Sequence, residues 1–504
     1  MVGRILSATP IGFQGQIIDV EGDLSSGLPS LQIVGLGNKA IDEAKDRVRS
    51  AIKNSSLDFP KGKIVINLAP AELPKDGTHF DLPIALAILR LAGALTAANT
   101  DSALFVGELA LDGRVRPVKS VITAAEAAKT AGIATIYVPT ANASQALLIE
   151  GLTVIPVVNL KQLYLHLKGE LAITPAPAQS VKYVQDKTGL LLDQISGQEQ
   201  AKRAIAIAVA GRHNILLSGS PGSGKTMLAR ALNNLLPPLR DSEIIEVTKL
   251  HNLGGESIDE IITARPFRSP HHTASQASII GGGTKAKPGE ISLAHRGTLF
   301  LDELLEYPRS ILESLRQPLE DRVISVSRTQ GKYQYPADFI LVGTMNPCPC
   351  GYYGDNEKAC SCTSMQILNY QKRLSGPLLD RIDLTVNVSR VAHEDLLGDK
   401  SLSNAQHNHY AQLIDNAIAY QYTRYGRGDI YNGSATSQDV DKYITLPANV
   451  KDFLIKAAKK LDLSARSYFK IIKVARTIAD LDQSTDIETK HIAEALSYRQ
   501  ITTV

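Results

Sequence analysis

The sequence predicts an α/β protein in three parts, and three observations lead there. Strand and helix patterns alternate over the first 172 residues. A short apolar strand, a glycine loop and a helix follow one another from His213 to Leu232. Beyond residue 404 the apolar positions recur only at helical spacing. The expected boundaries are an α+β module at 1–172, a linker at 173–190, an α/β core at 191–392 and a helical region at 393–504. A chain of 504 residues holds about three domains of ordinary size. With 44% hydrophobic and 21% charged residues its composition is that of a globular protein. A net charge of +3 is too small to mark the whole surface as basic, so any nucleic-acid surface must be local. No apolar run reaches the ~18 residues of a spanning helix, and the opening residues carry no signal-peptide hydrophobic stretch. A cytoplasmic protein with no membrane partner is expected. All four cysteines lie between Cys348 and Cys362, which suits a metal cluster better than a disulfide framework.

Within the first module, Gln16–Val20, Leu31–Val34, Ile64–Ile66, Thr135–Val138 and Thr153–Val157 read as strands. Asn38 can cap a helix whose apolar face is Ile41, Ala44, Val48, Ala51 and Ile52. Further helices are expected at Leu82–Leu95 and Val121–Ala131, and Asp112-Gly113 signals a hairpin between Leu109 and Arg116. Around Pro74-Lys75-Asp76-Gly77 the module resembles the Lon protease-like domain. In that resemblance the nucleophilic serine falls on His79, and the partner lysine falls on Ile122 or Ala124. Neither half of a Ser–Lys dyad is present, so a non-proteolytic scaffold is expected, with His79 as a turn residue. Ile173 to Ser180 is rich in Pro, Ala and Ser and reads as a semi-rigid linker.

The core opens with an apolar helix at Ala201–Ala210 and the strand Asn214–Ser218. Gly219-Ser220-Pro221-Gly222-Ser223-Gly224-Lys225-Thr226 then fits G-x-x-x-x-G-K-[ST] at every fixed position, and helix formers follow from Met227. Strand, loop and helix in that order make a phosphate cradle of backbone N–H groups at a helix N-terminus. Lys225 is placed to reach the β- and γ-phosphates of ATP, and Thr226 to put its hydroxyl on Mg²⁺. A second apolar strand, Gly297 to Leu301, ends in Asp302 and Glu303, 77 and 78 residues beyond Lys225. Asp302 suits the metal and Glu303 suits the attacking water. A third strand, Phe339 to Thr344, runs into Met345-Asn346-Pro347. Asn346 can hydrogen-bond the γ-phosphate or the water, the role called sensor 1. A plain Asn-Pro turn reads equally well.

Together these motifs, with Ser375-Gly376-Pro377-Leu378-Leu379-Asp380-Arg381-Ile382-Asp383-Leu384, resemble the magnesium chelatase-like AAA+ group called YifB or ComM. Gly27-Leu28-Pro29, Asp46 to Ile52 and Asn67 to Ala71 carry the resemblance through the N-terminal module, so it covers essentially the whole chain. It implies a hexameric ring ATPase with a C-terminal helical lid, and ComM-type members imply ATP-driven branch migration of DNA during transformation. Position by position, Arg381 matches the arginine finger, which reaches the nucleotide of the neighbouring subunit, and Arg466 matches sensor 2 in the lid. Arg476 is a second contender for that role. Lid helices are expected at Ala405–Tyr422, Ala448–Leu461, Ser467–Ala479 and Thr489–Tyr498. The resemblance also places Leu192 to Gln198 over the adenine.

Cys348-Pro349-Cys350, nine residues, then Cys360-Ser361-Cys362 suits either tetrahedral Zn²⁺ or free thiols. As four protein ligands they leave no open position, so a bound zinc would be structural, bracing the strand that ends at Asn346 and the loop leading to Arg381. Two basic inserts are candidates for DNA: the glycine-rich stretch with Lys285 and Lys287, and a hairpin with Arg328 and Lys332 near its turn. Either reads as a solvated hairpin as well, but six-fold repetition in a ring would multiply a small charge. Tyr422 to Ser437, with three tyrosines and two arginines, reads as an exposed loop able to stack on bases, or as a solvated one. Arg265 to Arg268 is a further basic stretch, and His271 and His272 are expected on opposite faces of a strand. The leading reading is a DNA motor acting on single-stranded or branched DNA. The alternatives are a chelatase-type motor subunit and an ATP-switched remodelling scaffold.

Overall fold

A strand that the periodicity did not reveal divides the first domain into two cores. In the computed structural model, which describes residues 3–35, 39–177, 189–256, 258–283, 286–328, 331–355, 357–391 and 404–499, β1 (Gly3–Ile11) sends Ile5 to one face and Ala8 to the other. Its sequence, GRILSATPI, alternates poorly because both faces are covered. With β2 (Gln14–Ser25), β3 (Ser30–Val34), β4 (Lys63–Ala69), β5 (Ala103–Phe105), β6 (Thr135–Pro139) and β7 (Thr153–Val157) it forms one seven-stranded sheet, in the order β3-β4-β2-β1-β5-β6-β7. The β1–β2 and β2–β4 pairs are antiparallel, and the other neighbours are parallel. The helices α1 (Lys39–Asn54) and α2 (Asp81–Leu91) cover one face and α3 (Val121–Thr130) the other. All five apolar residues expected on α1 are at most 2% exposed; the cap expected at Asn38 lies outside the described residues. The Asp112-Gly113 turn joins Glu108–Leu109 to Val115–Arg116, as its residues demand.

The Lon-like corner has lost its chemistry in structure as well. Ile122 and Ala124 are buried in the apolar core beneath α3. His79 is the turn residue expected, just before α2; it is buried against Phe80, and burial pushes its imidazole down to about 4. The segment expected to begin the linker docks on this domain, with Ile173 in the core and the Ala176 N–H on the Val154 carbonyl; residues 178–188 lie outside the described ones.

The second sheet is wholly parallel. Its strands β8 (Ile215–Ser218), β9 (Phe267–Arg268), β10 (Thr298–Leu301), β13 (Ile340–Met345) and β14 (Leu384–Asn387) stand in the order β9-β10-β13-β8-β14. Between β10 and β13 the chain makes the hairpin β11 (Val323–Arg328) and β12 (Gly331–Pro336). Both faces of the sheet are covered, which is why these strands read as unbroken apolar runs. Ile215, Leu217, Phe300 and Val342 face α4 (Glu199–Gly211), α5 (Lys225–Leu235) and the C-terminal helices. Leu216, Leu299, Leu301 and Leu341 face the core that includes Leu250 of α6 (Asp241–Gly254).

The C-terminal helices α7 (Ala405–Tyr425), α8 (Ser437–Tyr443), α9 (Ala448–Lys460), α10 (Ala465–Leu481) and α11 (Thr489–Ser497) share that first core. They grip the edge strand: Tyr498 O accepts from Thr385 N, and Lys470 Nζ donates to Ile382 O. The Tyr422–Ser437 segment is therefore no stacking platform. Tyr425 and Tyr431 are 3% and 2% exposed, Arg424 is paired with Asp480, and Arg427 with Asp429. The first domain docks on α6 through the Lys249–Glu126 ion pair and through Asn142 and Gln145, which donate to the carbonyls of Ile258 and Glu260.

At the base of β13, Asp338 receives Arg296 and Arg322 at 2.7 and 2.8 Å. Burial pushes its carboxyl up, but Arg212, Arg322 and Arg296 together hold it well below the usual range. A depressed carboxylate contributes stability above its unfolded value near 4, and loses it as pH falls toward the folded value. Asp338→Ala leaves Arg322 without its carboxylate, while Arg296 keeps Glu246, and should cost about 3 kcal/mol in urea unfolding at pH 7. The difference from the parent should shrink below about pH 4.

Candidate nucleotide site

The P-loop starts where β8 ends. Gly219 passes so close to the chain following β14 that a Cβ would lie 2.2 Å from the Val388 carbonyl oxygen. Gly222 and Gly224 take φ of +79° and +90°, and a Cβ on either would meet nothing within 4 Å, so the loop is open above them. Helix α5 begins at Lys225, two residues earlier than the helix formers suggest, and its first N–H groups lie in the loop. Lys225 Nζ sits 2.8 and 2.9 Å from the carbonyls of Gly219 and Ser220, and 3.4 Å from Asn346 Oδ1. Burial pushes the lysine down, opposed by the charges of Asp302 and Glu303. The Ser223 hydroxyl is buried without a protein partner. An open cradle, an orphaned hydroxyl and a half-buried ammonium fit a phosphate chain.

The two carboxylates arrive from β10. Asp302 Oδ2 is 3.5 Å from Thr226 Oγ1, a spacing that fits a cation held between hydroxyl and carboxylate. The residue that fixes them was not foreseen. Thr344 Oγ1, on neighbouring β13, donates to Asp302 Oδ1 at 2.5 Å and accepts the Glu303 N–H at 3.0 Å. Its signal was a lone hydroxyl in an apolar strand two residues before Asn346. Glu303 adopts φ +50°, a left-handed conformation that costs roughly 1–2 kcal/mol and is held here by that hydrogen bond. Lys225, Thr226, Asp302 and Asn346 are thus brought together, with Glu303 beside them.

Two other expected site residues lie elsewhere. Arg381 precedes β14, and its backbone carbonyl binds Asn214 Nδ2 at the start of β8. It therefore stands at the N-terminal edge of the sheet, a strand's length, about 13 Å for four residues, from the P-loop edge. Its guanidinium binds Glu320 and the Pro377 carbonyl. Arg466 binds the same Glu320 at 3.0 Å, so it does not approach the P-loop of its own chain either. Arg476 is 4% exposed and bound to Asp480 and the carbonyls of Ser484 and Thr485, which makes it a core residue. The Leu192–Gln198 segment runs beside the P-loop, with Gln198 donating to the Ser389 carbonyl.

Known proteins share this organisation. Residues 191–396 match the family described as magnesium chelatase, subunit ChlI, residues 20–142 that described as subunit ChlI of Mg-chelatase, and residues 405–499 the ChlI C-terminal family. The uncharacterized protein YifB of Salmonella typhimurium is 42% identical over 97% of this chain and 96% of its own. Competence protein ComM of Haemophilus influenzae is 41% identical over 98% and 97%. The chain belongs to the YifB/ComM family. It is a magnesium chelatase-like AAA+ protein, and that family fits ATP with Mg²⁺. The magnesium-chelatase 67 kDa subunit of Heliobacterium mobile is similar more locally, 27% identical over 37% of this chain.

The cysteines of this YifB/ComM chain form the one group of metal-ligating side chains found among the described residues. Cys348 Sγ lies 3.3 Å from Cys350 and 3.7 Å from Cys360, Cys350 lies 3.5 Å from Cys360, and all four sulfurs lie within 4.8 Å of one another. Four sulfurs around Zn²⁺ at about 2.3 Å stand about 3.8 Å apart, so the set fits a tetrahedral thiophilic cation. Backbone N–H groups of Tyr352 and Ser361 pull the Cys350 thiol down, while the neighbouring sulfurs push Cys360 and Cys362 up; a bound cation would supply the positive charge that four thiolates together need.

The two basic inserts meet. Gly281–Gly282 pairs with Lys287–Pro288, β11 pairs with β12, and Tyr335 of β12 donates to the Ala286 carbonyl at 2.7 Å. Lys287 and Lys332 are exposed. Lys285 lies outside the described residues, and of Arg328 only the backbone is described. The Arg265–Arg268 stretch is not a basic surface, because Arg265 is paired with Glu243 and Arg268 with Glu256 and Glu290. His271 and His272 occupy a turn with rings 4.1 Å apart, not opposite faces of a strand. No helix among the described residues is long and apolar enough to cross a membrane.

Thr344→Val keeps the shape of the strand and removes both hydrogen bonds to the acidic pair. A Mg²⁺ titration of ATP turnover should show an apparent metal affinity about ten- to a hundredfold weaker. An unchanged titration would deny Thr344 its positioning role.

Proposed function

We propose that this chain is a hexameric, ring-forming AAA+ ATPase that hydrolyses ATP between neighbouring subunits and uses it to translocate on single-stranded or branched DNA. The observation that carries the reading is the place of Arg381, a strand's length from its own P-loop. A guanidinium there is useful to a γ-phosphate only across a subunit boundary. Arg381 and Arg466 share one carboxylate, Glu320, which leaves positive charge for a phosphate presented from outside.

In this reading Lys225 and the loop N–H groups bind the β- and γ-phosphates, and Asn346 orients the γ-phosphate or the water. Thr226 and Asp302 are the residues that would hold Mg²⁺, which offsets phosphate charge when bound. Glu303 accepts the proton of the attacking water, and Arg381 of the next subunit meets the charge of the transition state. The DNA half is supported by the joined hairpins with exposed Lys287 and Lys332, and by likeness to a protein named for competence. Local likeness to a magnesium-chelatase subunit supports a second reading, a motor acting on a protein partner.

ATP turnover with and without single-stranded or forked DNA, across a salt series, separates the two. Stimulation with salt-sensitive binding is expected; indifference to DNA would overturn the DNA half. Glu303→Gln should keep ATP bound while turnover drops about a hundredfold or more. Arg381→Ala should slow hydrolysis about a thousandfold with nucleotide binding intact. Mixing Arg381→Ala with Lys225→Ala chains rebuilds some complete interfaces and should restore activity; no recovery would place Arg381 in its own subunit's site.

A further inference from the structure

The loop between the two cysteine pairs packs on the P-loop. Gly351 takes φ +85°, and a Cβ there would lie 2.7 Å from Pro221 Cδ, so the Gly351 backbone packs directly on the Pro221 ring. The Ser220 hydroxyl faces the Asp355 carboxylate and, with the Glu357 N–H, holds it below its usual range. That carboxylate is 3% exposed and also receives the N–H groups of Glu357 and Lys358 at 2.9 and 3.0 Å. Arg390, leaving β14, closes the arrangement: its Nε is 3.3 Å from Asp355, its Nη1 3.2 Å from Glu357, and its Nη2 donates to the Pro221 carbonyl at 3.4 Å. The ring of Tyr352 lies 5.5 Å from the same guanidinium.

The chain from Cys350 to Cys360 contains no helix or strand among its described residues. Its shape depends on how its ends are held, and at both ends the holding groups are thiols: the Tyr353 N–H binds Cys348 Sγ and the Cys362 N–H binds Cys360 Sγ. A cation joining the four sulfurs removes most of the loop's conformational freedom before Asp355 meets Ser220. Without it, that ordering cost falls on the contacts to the P-loop.

We propose that a thiophilic divalent cation of the zinc class, bound by Cys348, Cys350, Cys360 and Cys362, sets the nucleotide affinity of the P-loop, with Asp355 and Arg390 as the positioning residues that transmit it. The inference rests on reading Gly219–Thr226 as the phosphate site. The metal thereby supports the binding half of the reaction and takes no part in its chemistry, since all four positions are filled by sulfur.

The test uses the full-length protein loaded with zinc, its metal content counted by release with a mercurial reagent. Binding of fluorescent ADP with Mg²⁺ is measured before release, after release and thiol regeneration, and after zinc is added back. Affinity should fall about tenfold or more on release and return with zinc. Asp355→Ala and Arg390→Ala should show a similar loss with one zinc per chain and cooperative unfolding retained. Asp355→Asn, which keeps an acceptor for Ser220, should recover part of it. Affinity that ignores zinc, or variants that bind ADP normally, would overturn the coupling alone. Loaded wild type that binds no nucleotide would overturn the phosphate-site reading and the coupling with it.

Discussion

The register of one parallel sheet decides where everything else in this protein must be. Ser218 of β8 pairs with Met345 of β13, and Leu301 of β10 pairs with Gly343. Parallel strands in register end level with one another, so the P-loop, the acidic pair and Asn346 emerge along a single edge. No long-range folding device is needed to assemble them; each is the first loop residue after a buried strand. The same register puts the strand beginnings on the opposite edge, where Arg381 and, through Glu320, Arg466 are found. A single subunit cannot bring both edges to one phosphate. The composite character of the proposed site is therefore a consequence of the sheet geometry, before any assembly is considered.

What the sequence made legible follows from the same physics. A strand buried on both faces was read from its unbroken apolar run three times, ending at Ser218, at Leu301 and, one residue beyond the expected Thr344, at Met345. The helical face of α1 was legible because only one side of it is buried. β1 was missed because burial on both faces erases the alternation, and Ser7, Thr9 and Pro10 break the apolar run that marks the other buried strands. Thr344 was missed because a hydrogen-bonding role inside a strand depends on which strand lies alongside, and sequence separation gives no hint of that neighbour. The tyrosines of the Tyr422–Ser437 segment misled for a related reason. Gly and Ser content suggested a solvated loop, but Tyr425 and Tyr431 are core residues, and their hydroxyls and the nearby Asn432 find partners inside.

Charged residues were the least legible class. Arg265, Arg268, Arg424 and Arg476 are all committed to internal carboxylates or carbonyls, and a count of basic residues cannot distinguish them from the exposed Lys287 and Lys332. Pairing decides the matter. Arg424 and Arg476 also share one carboxylate, but Asp480 is buried in the core; Arg381 and Arg466 differ in that their shared Glu320 lies at the surface and offsets only one of them. A surface that holds a guanidinium pair on a single acid is poised to receive an anion, and the neighbouring subunit's terminal phosphate is the anion that a closed ring would supply.

The cysteine cluster extends this logic to the one part of the site that the sheet does not hold. Lys225 and Thr226 begin a helix and the acidic residues end strands, but Ser220 and Pro221 belong to neither. Their contacts are with Asp355, Arg390 and Gly351, which lie on chain without regular secondary structure of its own. A phosphate cradle loses affinity when its backbone N–H groups must be ordered at the moment of binding, because the entropy of that ordering is subtracted from the contacts made. Holding the cradle from behind removes the cost in advance. In the proposed coupling, four thiols joined by a cation would do this with few residues, and would place the control of nucleotide affinity on a group that metal loss or oxidation can reach.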